Sequence, residues 1–241
     1  MTHRQKPTAI VTGASSGIGL GIAKALSGCG YRIVGTSRNI TKSGELEASA
    51  DLLLIDGDIG KKETALKVVD AAVRTFGRID LLVNNAGIFI PKPFTEYTEE
   101  DYNLVMNTNV ASYFYMTQAV IPQMKAQKSG HVVFVSAVLA DQPSRNAPAL
   151  LAVLSKSTMP AVSKALALEY ASDQIRFNTV SPGVVNTPMH ANDDHSALAK
   201  FHPLDRLAEV SDIVDAVLYL QSATFVTGEN IRVDGGVHAG R

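Results

Sequence analysis

About seven short runs of aliphatic and β-branched residues punctuate the chain, at 8–12, 32–36, 52–55, 80–83, 131–136, 176–180 and 230–233. They are continuously apolar rather than alternating, the pattern of strands covered on both faces. Between them the apolar positions switch to helical spacing. Ile18, Ile22, Ala25 and Leu26 share one face, and Leu66, Val69, Val73 and Phe76 another. Thr98-Glu99-Glu100-Asp101 has the form of a capping box, with Asp in place of the usual Glu, opening a helix that runs towards Met124. Further helices are expected over 150–171 and 209–220. Strand–helix alternation of this kind dictates an α/β fold in which right-handed crossovers build one doubly wound parallel sheet with helices on both faces. No linker, repeat or low-complexity segment divides it, so a single domain over 1–241 is expected.

Two local features qualify this pattern. Pro160 falls inside the helical stretch 150–171, four residues after Lys156, where it removes a hydrogen bond to the Lys156 carbonyl and crowds it. A kink or break near Lys156 is therefore expected. The polar segment 188–206, with His190, His195 and His202, is long for a plain connection and follows the carboxyl end of a strand, where open α/β sheets bind ligands. It is read as a substrate lid.

Composition narrows the class. With 46% hydrophobic and 19% charged residues the chain can bury a substantial core, and a formal net charge of −1 gives no reason to expect nucleic acid or an anionic membrane. The single cysteine, Cys29, rules out an intrachain disulfide. Residues 1–7 are too short and polar for a signal peptide, and no apolar run approaches the ~18 residues of a spanning helix. A cytoplasmic protein is expected.

The candidate chemistry begins at Thr12-Gly13-Ala14-Ser15-Ser16-Gly17-Ile18-Gly19, a glycine turn between a strand and a helix. Such a turn brings backbone N–H groups and a helix N-terminus up to a phosphate. Gly13, Ser15, Ser16, Gly17, Ile18 and Gly19 are the candidate contacts. After the second strand comes Ser37-Arg38, where an acidic residue would suit the ribose of NAD and an arginine suits a 2′-phosphate. NADP(H) is therefore preferred to NAD(H). Asp58-Ile59 follows the third strand, where a carboxylate can accept from an adenine amino group. Asn84-Asn85-Ala86-Gly87 ends the fourth, with small residues that let backbone approach a ligand.

In this order the motifs resemble those of the classical short-chain dehydrogenase/reductase family over nearly the whole chain. Thr12-Gly13-x-x-x-Gly17-x-Gly19 is similar to its cofactor turn, and Asn85, Ala86 and Gly87 belong to its second signature. Asn109 stands where the family has its catalytic asparagine, and Lys156 where it has the lysine of Tyr-x-x-x-Lys. Pro182, Gly183, Val185 and Thr187 lie in the segment that contacts nicotinamide, and Asp234-Gly235-Gly236 resembles the end of the last strand. The resemblance implies a Rossmann-type fold, NAD(P)(H), a small carbonyl or alcohol substrate, and a homotetramer built on the two long helices.

The chain departs from the family at two positions. The tyrosine expected four residues before Lys156 is Ala152, and the serine expected after the fifth strand is Ala137, with Ser136 one place earlier. A one-residue shift on an extended strand turns a side chain to the other face, so Ser136 replaces that serine only if the chain bends. No tyrosine lies between Gly130 and Glu169. Losing a general acid costs ~10²–10⁴-fold, whereas positioning alone supplies about 7–11 kcal/mol, so a slow reductase is conceivable. Water and Lys156, assisted by Asn109 and Ser136, form one candidate proton path; Tyr113, Asp141 and the lid histidines are others. Two readings stay open: an NADP(H)-dependent oxidoreductase with atypical proton delivery, and a catalytically impaired cofactor-binding protein.

Overall fold

The computed structural model describes residues 5–145 and 147–240. Its strands are β1 (Thr8–Thr12), β2 (Arg32–Ser37), β3 (Leu52–Asp56), β4 (Leu81–Asn84), β5 (Gly130–Val135), β6 (Ile175–Pro182) and β7 (Asn230–Val233). They form one parallel sheet in the order β3-β2-β1-β4-β5-β6-β7. The chain winds outward from β1 to β3, then returns beside β1 with β4 and winds the other way. This reversal opens a crevice at the carboxyl ends of β1 and β4, where a ligand can enter.

The continuous apolar runs are explained by the two layers they separate. On β1, Ile10 packs into one core while Ala9 and Val11 pack into the other, and on β5 Val132 and Phe134 oppose Val133 and Val135. The first core is closed by α2 (Lys62–Phe76), α4 (Ser112–Gln127) and α6 (Thr158–Glu169). The second is closed by α1 (Gly17–Gly28) and α8 (Val210–Ser222). No helix is long and apolar enough to cross a membrane among the described residues.

Two expected helices are interrupted. The Thr98 capping box forms as expected: its hydroxyl accepts from Asp101 N–H, and the Asp101 carboxylate accepts from Thr98 N–H. The helix it opens, α3 (Glu99–Met106), gives way to a π turn at Asn107–Ala111 before continuing as α4. A π turn widens the helix by one residue and is frequent at functional sites; this one carries Asn109. The stretch expected over 150–171 is α5 (Leu150–Lys156) and α6, separated at Ser157 beside Pro160. The break expected from the proline is there. The segment 188–206 contains a short helix, α7 (His195–Ala199), capped by Asp194, whose carboxylate accepts from Ser196 and Ala197 N–H.

Candidate active site

The glycine turn is fixed by a residue whose role the spacing did not reveal. Thr12 Oγ1 donates to Val83 O at 3.3 Å and accepts from the N–H groups of Asn85 and Ala86, each at 3.0 Å. Asn85 Nδ2 donates to Thr12 O at 2.9 Å. The amide expected to touch a cofactor is therefore engaged in joining the two ligand-facing turns, and Asn85 acts as a brace. Gly13 lies at φ +68°, a conformation that disfavours any side chain, and a Cβ there would sit 3.0 Å from Ala86 Cα.

The N-terminus of α1 is open to an anion. Ser16 occupies the N-cap without a side-chain capping bond, and no acidic residue stands in the first turn. Ser15 and Ser16 carry no side-chain hydrogen bond among the described residues, which leaves their hydroxyls free at a helix N-terminus, where backbone N–H groups favour an anion. Ile18 lies alongside, partly buried against the α1 core. At the far end of the crevice, Ser37 Oγ is buried and unpartnered, and Arg38 is exposed with no ion-pair partner among the described residues. An exposed guanidinium with no ion-pair partner among the described residues can receive an anion. Asp58 is exposed and accepts from Gly60 N–H at 3.0 Å, whereas the Ile59 side chain is buried in the first core, so only its backbone can face a ligand. These features together fit a dinucleotide.

At the other end, Gly87, Asn109 and Lys156 come together. A Cβ on Gly87 would sit 3.0 Å from Lys156 Nζ and 3.2 Å from Asn109 Oδ1, so a side chain there would crowd both. Asn109 is fully buried; its Oδ1 accepts from Ile88 N–H at 2.8 Å, and its Nδ2 donates to Ile88 O and to Ser155 Oγ, each at 3.0 Å. Lys156 Nζ is buried and donates to Val135 O at 2.8 Å. Burial without a carboxylate partner lowers its pKa to about 8. A lysine so poised holds a proton at neutral pH yet releases it readily.

The remaining expected contacts follow β6. Pro182 ends the strand, and Gly183 N–H donates to Val233 O at 2.9 Å. Thr187 Cγ2 would lie 3.3 Å from a Cβ on Gly17, which places this loop directly over the glycine turn. Val185 turns its side chain into the second core, leaving only its backbone for a ligand.

The other candidate proton donors are engaged with partners of their own. Ser136 does not bend into the position of Ala137: it continues the face of Val132 and Phe134, and its Oγ donates to Lys156 O at 2.9 Å. Its hydroxyl is engaged in holding the main chain, which corrects its reading as a substrate contact. Tyr113 is buried, edge-on to Phe134, with its hydroxyl 3.0 Å from Thr158 Oγ1. Asp141 accepts from Arg232 Nε at 2.8 Å. His190 Nδ1 is held by Asp193, and His195 Nε2 by the His190 carbonyl.

His202 departs most from expectation. It is 1% exposed rather than solvated, and its Nε2 accepts from Val184 N–H at 2.9 Å. The acceptor role puts the proton on Nδ1, and burial keeps the ring's pKa below its usual value. It pins the end of segment 188–206 to the loop after β6. Thr12 and Ser155 act through hydrogen bonds to residues distant in sequence, which spacing does not show, and His202, expected on the lid as a candidate proton donor, is instead a buried acceptor.

Residues 13–238 match the family model described as enoyl-(acyl carrier protein) reductase. The chain is 34% identical over 244 residues to a putative ketoacyl reductase 2 of the granaticin polyketide synthase from Streptomyces violaceoruber, covering 97% of each chain. It is also 34% identical over 246 residues to a tropinone reductase homolog of Arabidopsis thaliana, covering 95% of this chain and 89% of that one. Among solved structures it is similar to a 3-ketoacyl-(acyl-carrier-protein) reductase from Brucella melitensis complexed with NADH. That likeness has a TM-score of 0.90 and 29% identity, covering 98% of this chain and all of the other.

Proposed function

The chain belongs to the short-chain dehydrogenase/reductase family, and on that premise we propose that it is an NADP(H)-preferring oxidoreductase interconverting a small carbonyl and its alcohol, with Lys156 and water handling the proton. The observation that carries this reading is the convergence of Lys156 Nζ and Asn109 Oδ1 on the backbone of Gly87, opposite an anion-ready glycine turn. NADP(H), when bound, supplies or accepts the hydride. Gly13, Ser15, Ser16, Gly17 and Gly19 would hold its pyrophosphate, Ser37 and Arg38 its 2′-phosphate, Asp58 and the Ile59 backbone its adenine. Ala86, Gly87, Lys156, Pro182, Gly183, the Val185 backbone and Thr187 would surround the nicotinamide half, with Asn85 bracing the turn.

The chain's own part in the reaction is to orient and to move one proton. In the direction of reduction, Lys156 Nζ gives a proton through water to the substrate oxygen and recovers it from solvent. Asn109 and Ser155 keep the wall opposite Nζ in place, and the segment 188–206 covers the substrate. Because the lysine must be protonated for reduction, rates should be flat below about pH 8 and fall roughly tenfold per unit above it; alcohol oxidation should show the mirror profile. Profiles of kcat in both directions check this, and a Lys156→Met enzyme with the same breakpoint would remove the lysine from the proton path.

The cofactor preference has its own test. Arg38→Ala should weaken NADPH binding by about 10–100-fold, the worth of charge-assisted hydrogen bonds to a phosphate, and leave NADH unaffected. Equal losses for both nucleotides would contradict the role given to Arg38. The sequence has no tryptophan, so reduced nicotinamide fluorescence can be followed with little background. A panel of small carbonyls and alcohols then reads turnover. Tight NADPH binding with no turnover across the panel would favour the second reading, a cofactor-holding protein without catalysis; the engagement of the Ser136 and Tyr113 hydroxyls with internal partners points that way. Exposed Tyr102, Leu104, Phe114, Leu150 and Leu154 on α3, α4 and α5 give the long helices apolar faces on which a homotetramer can assemble. Sedimentation tests that assembly, and fractionation tests a cytoplasmic location.

A further inference from the structure

Lys156 is held at both of its ends by two consecutive residues of one strand terminus. Its Nζ donates to Val135 O at 2.8 Å, and its carbonyl accepts from Ser136 Oγ at 2.9 Å. A carbonyl in mid-helix is ordinarily taken by the N–H four residues later, but here that residue is Pro160, which has none. The helix is broken at Ser157, between α5 and α6. Ser136 is itself 5% exposed, and its N–H is bound to Val180 O at 2.8 Å, so its side chain has a fixed origin in the sheet. A buried carbonyl left without a donor is unfavourable, so the proline and the serine are complementary.

We infer that Pro160 and Ser136 form a matched pair of positioning residues: the proline frees the Lys156 carbonyl from its helix, and the serine draws it onto β5, so that Nζ is aimed at Gly87. This exchanges a local helical bond, which would let α5 slide with α6, for a bond to the sheet that also carries the glycine turn. The inference rests on the placement of Lys156 at the cofactor site proposed above, but not on turnover.

The test is a double-mutant cycle with Ser136→Ala, Pro160→Ala and both together. Two quantities are read on each: the titration midpoint of Lys156, from NMR of ε-¹³C-labelled lysine assigned with Lys156→Met, and the NADPH dissociation constant. Ser136→Ala alone is expected to move the Lys156 midpoint and to weaken NADPH by about tenfold, the worth of one buried hydrogen bond and its orphaned partner. Pro160→Ala restores an N–H to the carbonyl, so the double variant should bind NADPH within about threefold of the unaltered protein. Ser136→Thr, which keeps the hydroxyl, should behave as the unaltered protein. Additive losses in the double variant, or an unmoved Lys156 midpoint in Ser136→Ala, would overturn the pairing. If Ser136→Ala does not fold, recovery of folding in the double variant supports the pairing and failure to recover overturns it. Because the lysine titration needs no cofactor, a moved midpoint with unchanged NADPH affinity would leave the clamp standing and refute the cofactor placement instead.

Discussion

Tyrosine introduced at position 152 together with serine at 137 is expected to raise carbonyl reduction by about 10²–10⁴-fold, the usual contribution of a positioned general acid. Ala152 and Lys156 are four residues apart around α5, so their side chains share one face of the helix. A phenol at 152 would stand beside an ammonium, and the adjacent positive charge lowers a phenol's pKa towards the working range. Ala137 is extended, at φ −158° and ψ 147°, directly after Ser136, so a serine there projects away from the face that Ser136 uses. Most of the gain should come with tyrosine, since serine only holds the substrate oxygen. Turnover of the double variant on the same carbonyl panel is the check. No gain, in a variant that still binds NADPH, would mean that Lys156 is not aimed at the reacting atoms.

The second large effect concerns Gly19. Gly19→Ala should lower NADPH affinity by at least about 100-fold while also destabilising the fold by about 1–3 kcal/mol. Helix propensity alone argues the reverse, because alanine in a helix is favoured over glycine by roughly 0.5–1 kcal/mol. Sterics decide the sign. A Cβ at Gly19 would lie 2.5 Å from Asn85 Nδ2 and closer still to the Gly13 carbonyl. Relief requires either the Asn85 brace or the glycine turn to move, and both line the proposed phosphate site. Gly28, in the same helix, is the control: among the described residues nothing lies within 4 Å of its would-be Cβ, so Gly28→Ala should leave NADPH binding unchanged. Thermal melting and NADPH titration read both variants, and full affinity in Gly19→Ala would refute the close approach.

The strand pattern was readable because burial on both sides leaves little room for polar residues, so β1 to β7 stand out as apolar runs. Their parallel order follows from the helices between them. Pro160 was legible for a local reason: it lacks an N–H, and the break falls at Ser157. What the sequence concealed depends on partners far along the chain. The π turn at Asn107–Ala111 leaves the apolar spacing of its helix nearly intact, so periodicity does not reveal it. His202 sits in a polar segment that reads as a lid, yet its ring packs inward where Gly183 and Gly235 lack side chains. Thr12 opens the glycine turn in the sequence, but that its hydroxyl joins β1 to the turn after β4 required the fold. Ser136 could be placed on the wrong face for catalysis from alternation alone; its bond to the Lys156 carbonyl required the fold.

The most direct measurement of the central claim is isotope transfer. The protein is incubated with NADPH carrying deuterium at nicotinamide C4, on each face separately, and with the panel of small carbonyls; the alcohol products are read by mass spectrometry. Slow, enzyme-dependent deuterium incorporation from one face only, lost in Lys156→Met and raised in the Ala152→Tyr, Ala137→Ser variant, is the expected result. NADPH bound but no deuterium in any alcohol above the protein-free control would contradict it.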